Sequence, residues 1–380
     1  MHATPDTLET TVVWINARFL DRPVTGVERV AFELINVLAT EHVDREGCWY
    51  EGTRRFRLQL IAPASGSAIS PWPNLTLHRR GRFSGHAWEQ LDLPRLTFGQ
   101  CLVSLCNTGP LLKRRHILYL HDAQPFAIPH NFSLSFRLWY RIVFHVAGRS
   151  ARYLLVNSRF TQRELARHVG LARDKMTLVS LGSEHVLREK TSANVLERFN
   201  LPEGPFVLAV ASANPNKNFA GVLRAIEHLG QDAPPCVIVG QTNQKQFSDV
   251  TMPAGGVTHL GYVSDRELLA LYRRALCLAF PSFYEGFGLP PLEAMAVGCP
   301  VIASHTSAMP EIGGRAVDYC DPDDYRSLAK AIEQVAADSN GRARMRRQGI
   351  RRSAGFSWAH SGATLRRLIG AEGLAAEQAG

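Results

Sequence analysis

Short apolar runs rich in β-branched residues alternate with segments of helical period along almost the whole chain, and the rhythm resumes after a polar interruption near the middle. The first half predicts strands at 11–16, 56–62, 101–105, 117–120, 153–157 and 176–181. The second predicts them at 206–211, 236–240, 257–260, 276–280 and 301–303. Between the runs lie amphipathic stretches such as 27–39, where Val27, Val30, Ala31, Leu34 and Leu38 share one face. Strands separated by helices pair in parallel, because a parallel neighbour is reached only by a crossover long enough to hold a helix. The pattern therefore predicts an α/β protein with two doubly wound sheets.

The polar run 184–200, closed by Leu201-Pro202-Glu203-Gly204-Pro205, breaks the strand rhythm and marks the boundary. Domains are expected over 1–190 and 200–360, with 361–380 a C-terminal helix able to pack back on the first domain. Two cores also suit the length, since 380 residues exceed the size at which one core usually keeps growing.

Composition narrows the class. With 45% hydrophobic and 20% charged residues the chain is an ordinary globular protein. The N-terminal residues 1–10 lack a basic start and an apolar stretch, and no run reaches the roughly 18 apolar residues of a membrane span, so a cytoplasmic location is expected, soluble or peripheral on a membrane. Seven scattered cysteines without CxxC spacing read as reduced core residues and support neither zinc nor a dithiol. A formal charge of +9 suits anionic lipid, nucleic acid or an anionic small molecule, but the basic sets at 79–82, 113–115 and 342–352 accompany no nucleic-acid module, so no nucleic-acid partner is expected.

Ligands of open α/β sheets bind beyond the carboxyl ends of the strands, which gives priority to residues at strand-to-helix junctions. After the strand at 276–280, a loop containing Gly286 and Gly288 leads to Pro290 and Pro291, which suit the first turn of a helix with its body at 292–297. Amides of Phe287, Gly288 and Leu289 can then face a diphosphate at the helix start. Glu285 precedes this cradle and Glu293 follows it by eight positions, on about the first turn, so the two can accept hydrogen bonds on either side of the phosphates. The bland alternative makes Glu285 a loop solvator and Glu293 a partner of the helix dipole.

Residues 280–303 resemble the glutamate-x7-glutamate block of the large retaining glycosyltransferase family 4, the glycosyl transferases group 1. The resemblance implies a GT-B fold, two Rossmann-like domains facing a central cleft that holds the active site. It further implies that Glu285 contacts the donor sugar and Glu293 the ribose. Lys217, in Asn214-Pro215-Asn216-Lys217-Asn218 after the strand at 206–211, matches the family's diphosphate lysine, with Asn214 beside it. The arginine many members carry six positions earlier is Ala211 here, which shifts neutralisation onto Lys217, Asn214 and backbone amides.

Further correspondences are individually weaker. His121, directly after the strand at 117–120, matches a histidine near the donor sugar; a satisfied structural histidine is the alternative. Gly26, in Thr25-Gly26-Val27, resembles the family's glycine-containing first loop, or else simply starts a helix. Val263, in Leu260-Gly261-Tyr262-Val263-Ser264-Asp265, falls where members touch the nucleotide base.

Asp321-Pro322-Asp323-Asp324 contains an Asp-x-Asp but precedes a helix at 325–336, and is read as its N-cap rather than a metal site. No metal and no cofactor are expected, with a nucleoside diphosphate sugar as donor. The Asn-Pro-Asn-Lys-Asn stretch resembles bacterial polysaccharide mannosyltransferases, pointing to GDP-mannose, with a UDP-sugar as the alternative and a glycan or lipid-linked glycan as acceptor. A donor epimerase and a non-catalytic donor-binding subunit are the rival readings. At 132–151 aromatic residues alternate with Arg137, Arg141 and Arg149; this helix either lies against anionic lipid, giving peripheral inner-membrane contact, or packs on its own sheet.

Overall fold

The structure, a computed structural model, describes residues 10–52, 54–188, 195–201, 204–210, 214–240 and 256–375. It divides into two compact units, Met1–Leu181 with Trp358–Gly380, and Gly182–Ser357. Each is built on one sheet.

Unit 1 contains β1 (Thr10–Asn16), β2 (Cys48–Glu51), β3 (Arg54–Ala62), β4 (Leu77–Arg79), β5 (Cys101–Ser104), β6 (His116–Leu120), β7 (Tyr153–Val156) and β8 (Met176–Leu178). The order is β2-β3-β1-β5-β6-β7-β8, with β4 also on β3. Every pairing is parallel except β2 with β3, where Cys48–Glu51 folds back on Arg54–Arg57 as a hairpin. The outer edge of β3 is shared, β2 covering its start and β4 its end. The inner strands β5 and β6 are buried throughout, as expected where helices cover both faces.

The helix Trp358–Ala375 completes unit 1. Leu365 and Ile369 are fully buried, the Ser361 hydroxyl donates to the Ser180 carbonyl, and Arg366 pairs with Glu51 at 3.4 Å. Glu372 sits between Arg115 at 3.4 Å and Arg152 at 3.7 Å.

Unit 2 contains β9 (Val207–Val210), β10 (Cys236–Val239), β11 (Val257–His259), β12 (Cys277–Phe280), β13 (Val301–Ser304) and β14 (Asp318–Cys320), ordered β11-β10-β9-β12-β13-β14 and parallel throughout. Counted within the unit this is the 3-2-1-4-5-6 winding of dinucleotide-binding sheets. The winding reverses between β9 and β12, the place at which open α/β sheets bind ligands beyond the strand ends.

Asp324 behaves as the sequence suggests: its carboxylate accepts the Arg326 amide at 3.0 Å and caps the helix Tyr325–Ala337. All seven cysteines are free thiols, and burial raises those of Cys101, Cys236, Cys299 and Cys320 to about 12. No helix among the described residues is long and apolar enough to cross a membrane.

In the helix Leu134–Ser150 the aromatic side faces inward: Val143, Phe144 and Ala147 are buried against β6 and β7, and Trp139 and Tyr140 pack beside them. The aromatic residues are therefore not a lipid-facing surface. A stack ties the partly buried rings to the buried Phe144, with Phe136 on Tyr140 at 4.1 Å and Tyr140 against Phe144 at 5.7 Å.

Candidate active site

The two loops that leave β9 and β12 are stitched together at the winding reversal of unit 2. After β9 the chain makes a 3-10 turn, Pro215–Lys217, in which the Asn214 side chain accepts the Asn216 amide at 3.0 Å. Asn218 takes a left-handed φ of 56° and caps the helix Phe219–Leu229 by accepting from the Gly221 amide at 3.1 Å. Its amide nitrogen donates to the carbonyls of Pro281 at 3.1 Å and Pro322 at 2.8 Å. Asn216 donates to the Tyr284 carbonyl, and the Phe283 amide returns a bond to the Asn216 carbonyl at 2.9 Å. Asn216 and Asn218 thus hold the loop that carries Glu285. Ala211 lies outside the described residues.

Lys217 and Glu285 meet across this seam. The ammonium nitrogen stands 2.7 Å from Glu285 Oε1 and 5.1 Å from the centroid of the Phe280 ring. Glu285 is 7% exposed, and its amide donates to the Ser307 hydroxyl at 3.0 Å while its carbonyl accepts from Ala308 at 3.2 Å. One cation and one carboxylate, both fixed from behind, are thereby presented at the strand ends where an anion gains most from the helix start.

Gly288 is the N-cap of the helix Leu289–Ala296 with φ of 106°, a conformation side chains rarely adopt, and a Cβ there would meet Met309 Cε at 2.3 Å. Pro290 and Pro291 have no N–H, so the cradle reduces to the amides of Phe287, Gly288 and Leu289. The Phe287 side chain is buried edge-on against Phe356 at 5.7 Å, and Leu289 is buried as well, which leaves their backbones as the polar offering.

Glu293 lies on the second turn of this helix rather than the first, too deep for a dipole partner. Its Oε1 is 2.8 Å from His185 Nε2, and its Oε2 accepts from the Tyr272 hydroxyl at 3.1 Å. Burial and the adjacent carboxylate drive the Tyr272 phenol well up, so it stays a donor. His185 and Tyr272 had no signal in the sequence: each lies in an unremarkable stretch more than 20 residues from Glu293. Val263 is buried just before Ser264, whose hydroxyl and the Glu267 carboxylate cap the helix Asp265–Arg274 reciprocally.

Unit 1 has its own reversal, between β1 and β5. Glu89, 1% exposed, is its hub: it accepts from Asn16 at 3.0 Å and Thr108 at 3.1 Å, meets the Arg18 guanidinium at 3.1 Å and lies 3.0 Å from His86 Nδ1. Burial works to raise the Glu89 carboxyl, but His86, Arg18 and Asn16 outweigh it and hold the carboxyl below its ordinary value. None of these residues carried a motif. Gly26 begins the helix Gly26–Val37, behind a Thr25 and Glu28 capping box, and a Cβ there would meet nothing within 4 Å, so the fold itself makes no demand for glycine.

His121 follows β6 and is buried. Its Nε2 lies 2.7 Å from the Leu105 carbonyl, and since a carbonyl only accepts, Nε2 carries the proton and Nδ1 the lone pair. Its own amide donates to Asn107 at 2.7 Å, and its carbonyl accepts from Asn157 at 2.8 Å and Thr161 at 3.3 Å. Burial lowers the ring to about 4, and lowers His116, which opens the same strand, to about 3. Both folded values fall below the usual 6.5, so the stability they contribute is complete above about pH 6.5 and drains away as pH falls towards 4. Nitrogen-15 NMR should find His121 neutral and Nε2-protonated at pH 6; a charged ring there would overturn the assignment.

Residues 195–352 match the family model described as "Glycosyl transferases group 1". This segment is similar to that family. Over 255 residues the chain is 29% identical to the O-antigen chain mannosyltransferase B of Escherichia coli, covering 64% of this chain and 67% of that one. Over 236 residues it is 27% identical to the O-antigen chain mannosyltransferase RfbU of Salmonella typhimurium, covering 60% and 63%. A third of each relative thus lies outside the matched stretch. The sucrose-phosphate synthase from Thermosynechococcus elongatus has the same fold, with a TM-score of 0.71 over 96% of this chain and 100% of that one at 18% identity. The fold is accordingly GT-B, with two Rossmann-like domains.

Proposed function

We propose that this glycosyltransferase moves mannose from GDP-mannose to a hydroxyl of a polysaccharide or lipid-linked glycan, with the anomeric configuration retained and without a metal ion. The observation that carries the reading is the Lys217–Glu285 pair, 2.7 Å apart at the winding reversal and beside the Gly288 helix start. Lys217 and the amides of Gly288 and Leu289 take the departing diphosphate, and Glu285 accepts hydrogen bonds from the sugar. The anomeric carbon loses its bond to the phosphate oxygen and gains one to the acceptor oxygen on the same face, while the acceptor proton passes to the leaving phosphate. Mannose and the polysaccharide acceptor rest on the two relatives, both named as O-antigen chain mannosyltransferases.

The purified chain tests this directly. At about a hundred times its dissociation constant GDP adds about 2.7 kcal/mol, which raises the melting temperature by about 5–10 °C for a unit of this size. GDP release from GDP-mannose should require acceptor and persist in EDTA, and NMR of the product should show the donor's anomeric configuration. A response to UDP but not GDP would move the donor to a UDP-sugar, isomerised donor without acceptor would make the protein an epimerase, and indifference to every nucleotide would sink the reading.

A further inference from the structure

The charge of this chain is concentrated. Between residues 93 and 163 the sole acidic residue is Asp122, against ten lysines and arginines, so this stretch alone carries the formal excess of +9 that the entire chain shows. Within it lies the helix Leu134–Ser150, whose aromatic side is spent on the core. Its opposite side is not uniformly polar, for exposed aliphatic side chains stand there among arginines. Leu134, Leu138 and Ile142, four residues apart and so aligned as one ridge, are 76%, 62% and 39% exposed. Arg137, Arg141 and Arg149 project from the same half of the helix, and Arg141 and Arg149 are exposed.

The ridge continues at Val146 into a cavity of about 750 Å³ walled by Phe98, Leu111 and Leu112. Phe98 and Leu112 stand 86% and 81% exposed at its mouth, more than any core requirement explains. Lys113, Arg114 and Arg115 border it. Lys113 donates to the Thr97 carbonyl at 2.7 Å and Arg115 leans on Glu372, which leaves Arg114 directed outward as the exposed member. Aliphatic tips flanked by cations, with Glu372 already engaged by Arg115 and Arg152, complement a surface that is apolar beneath and negative on top.

We propose that this face of unit 1, the Leu134–Leu138–Ile142 ridge with Phe98 and Leu112, docks on an anionic lipid bilayer. The apolar side chains enter the headgroup layer, and the flanking arginines meet the phosphates. A single such face gives reversible, peripheral attachment rather than insertion. The inference is independent of the donor and acceptor proposed above: GDP can bind a chain that ignores membranes, and a membrane-bound chain can fail to bind GDP.

Vesicle flotation of the full chain is the test, with phosphatidylcholine vesicles and with vesicles containing about one third phosphatidylglycerol. The wild type should float with the anionic vesicles and stay behind with the neutral ones. Raising salt to about 1 M, where screening falls to about 3 Å, should release most of it. The paired variant Leu134→Ser, Leu138→Ser and the single variant Arg141→Glu should each lower the bound fraction at least tenfold while melting with the wild type, since all three side chains are exposed. Equal flotation with both vesicle types, or variants that float like wild type, would overturn the proposal. So would a wild type that ignores vesicles and instead runs as a dimer which Leu138→Glu splits, because the ridge would then belong to a second copy.

Discussion

Glu285→Ala should cut transfer by about a thousandfold, the loss typical of removing one group aimed at charge in the transition state, while GDP binds as well as before or more tightly. The second half of that expectation comes from the ion pair. Without donor, the Lys217 charge is partly neutralised by the Glu285 carboxylate at 2.7 Å, so a diphosphate must share it. Removing the carboxylate leaves Lys217 available to the phosphates alone. Lys217 keeps some access to solvent, and the seam behind it is held by Asn216 and Asn218, so the variant should fold. Circular dichroism, calorimetric titration with GDP and a turnover assay separate the effects. Wild-type turnover in the variant would remove Glu285 from the reaction, and lost GDP binding would mean that the carboxylate orders the site rather than contacting sugar.

Glu89→Ala should have the largest effect on stability. It strands the Arg18 guanidinium, almost wholly buried, without its counter-ion and removes the acceptor for Asn16 and Thr108. Breaking one side of a buried pair costs about 3–5 kcal/mol, or about 6–20 °C in melting temperature for a unit of this size. Replacing both Arg18 and Glu89 by methionine should recover most of that, since no buried charge is then left alone. The acid limb of stability should carry the same signature. A carboxyl held below its ordinary 4.5 adds stability that is complete above about pH 4.5 and lost as pH falls through its folded value. Melting curves between pH 3 and 5 should therefore fall less steeply for the double variant than for the wild type; parallel curves would mean that Glu89 is not the group responsible.

Much of the architecture was legible because period and turn chemistry are local. The eleven expected strands all form, and the helix after β12 starts at its prolines as expected. The three unexpected strands are short edge pieces: β4 and β14 have three residues each, and β2 exists only by folding back on β3. Strands of three or four residues hold too few alternations for a period of two to stand out, so no pattern in the sequence announces them. The site divides the same way. Lys217 and Glu285 stand at junctions and could be picked out singly, but their pairing, 68 positions apart, follows from β9 lying next to β12. The Glu89 hub and the His185 and Tyr272 partners of Glu293 were silent because each is an ordinary residue made special by burial.

The last helix, Trp358–Ala375, seals a unit whose other residues end at Leu181, so the whole of unit 2 is an insertion within unit 1. During synthesis, residues 182–357 emerge as one uninterrupted block and can reach their native state while the chain is still growing. The earlier block has to wait with a bare flank until the ribosome delivers its closing piece. A premature stop shortly before Trp358 would leave unit 2 intact and strand the half translated first, so the helix Trp358–Ala375 matters most to residues far upstream of it.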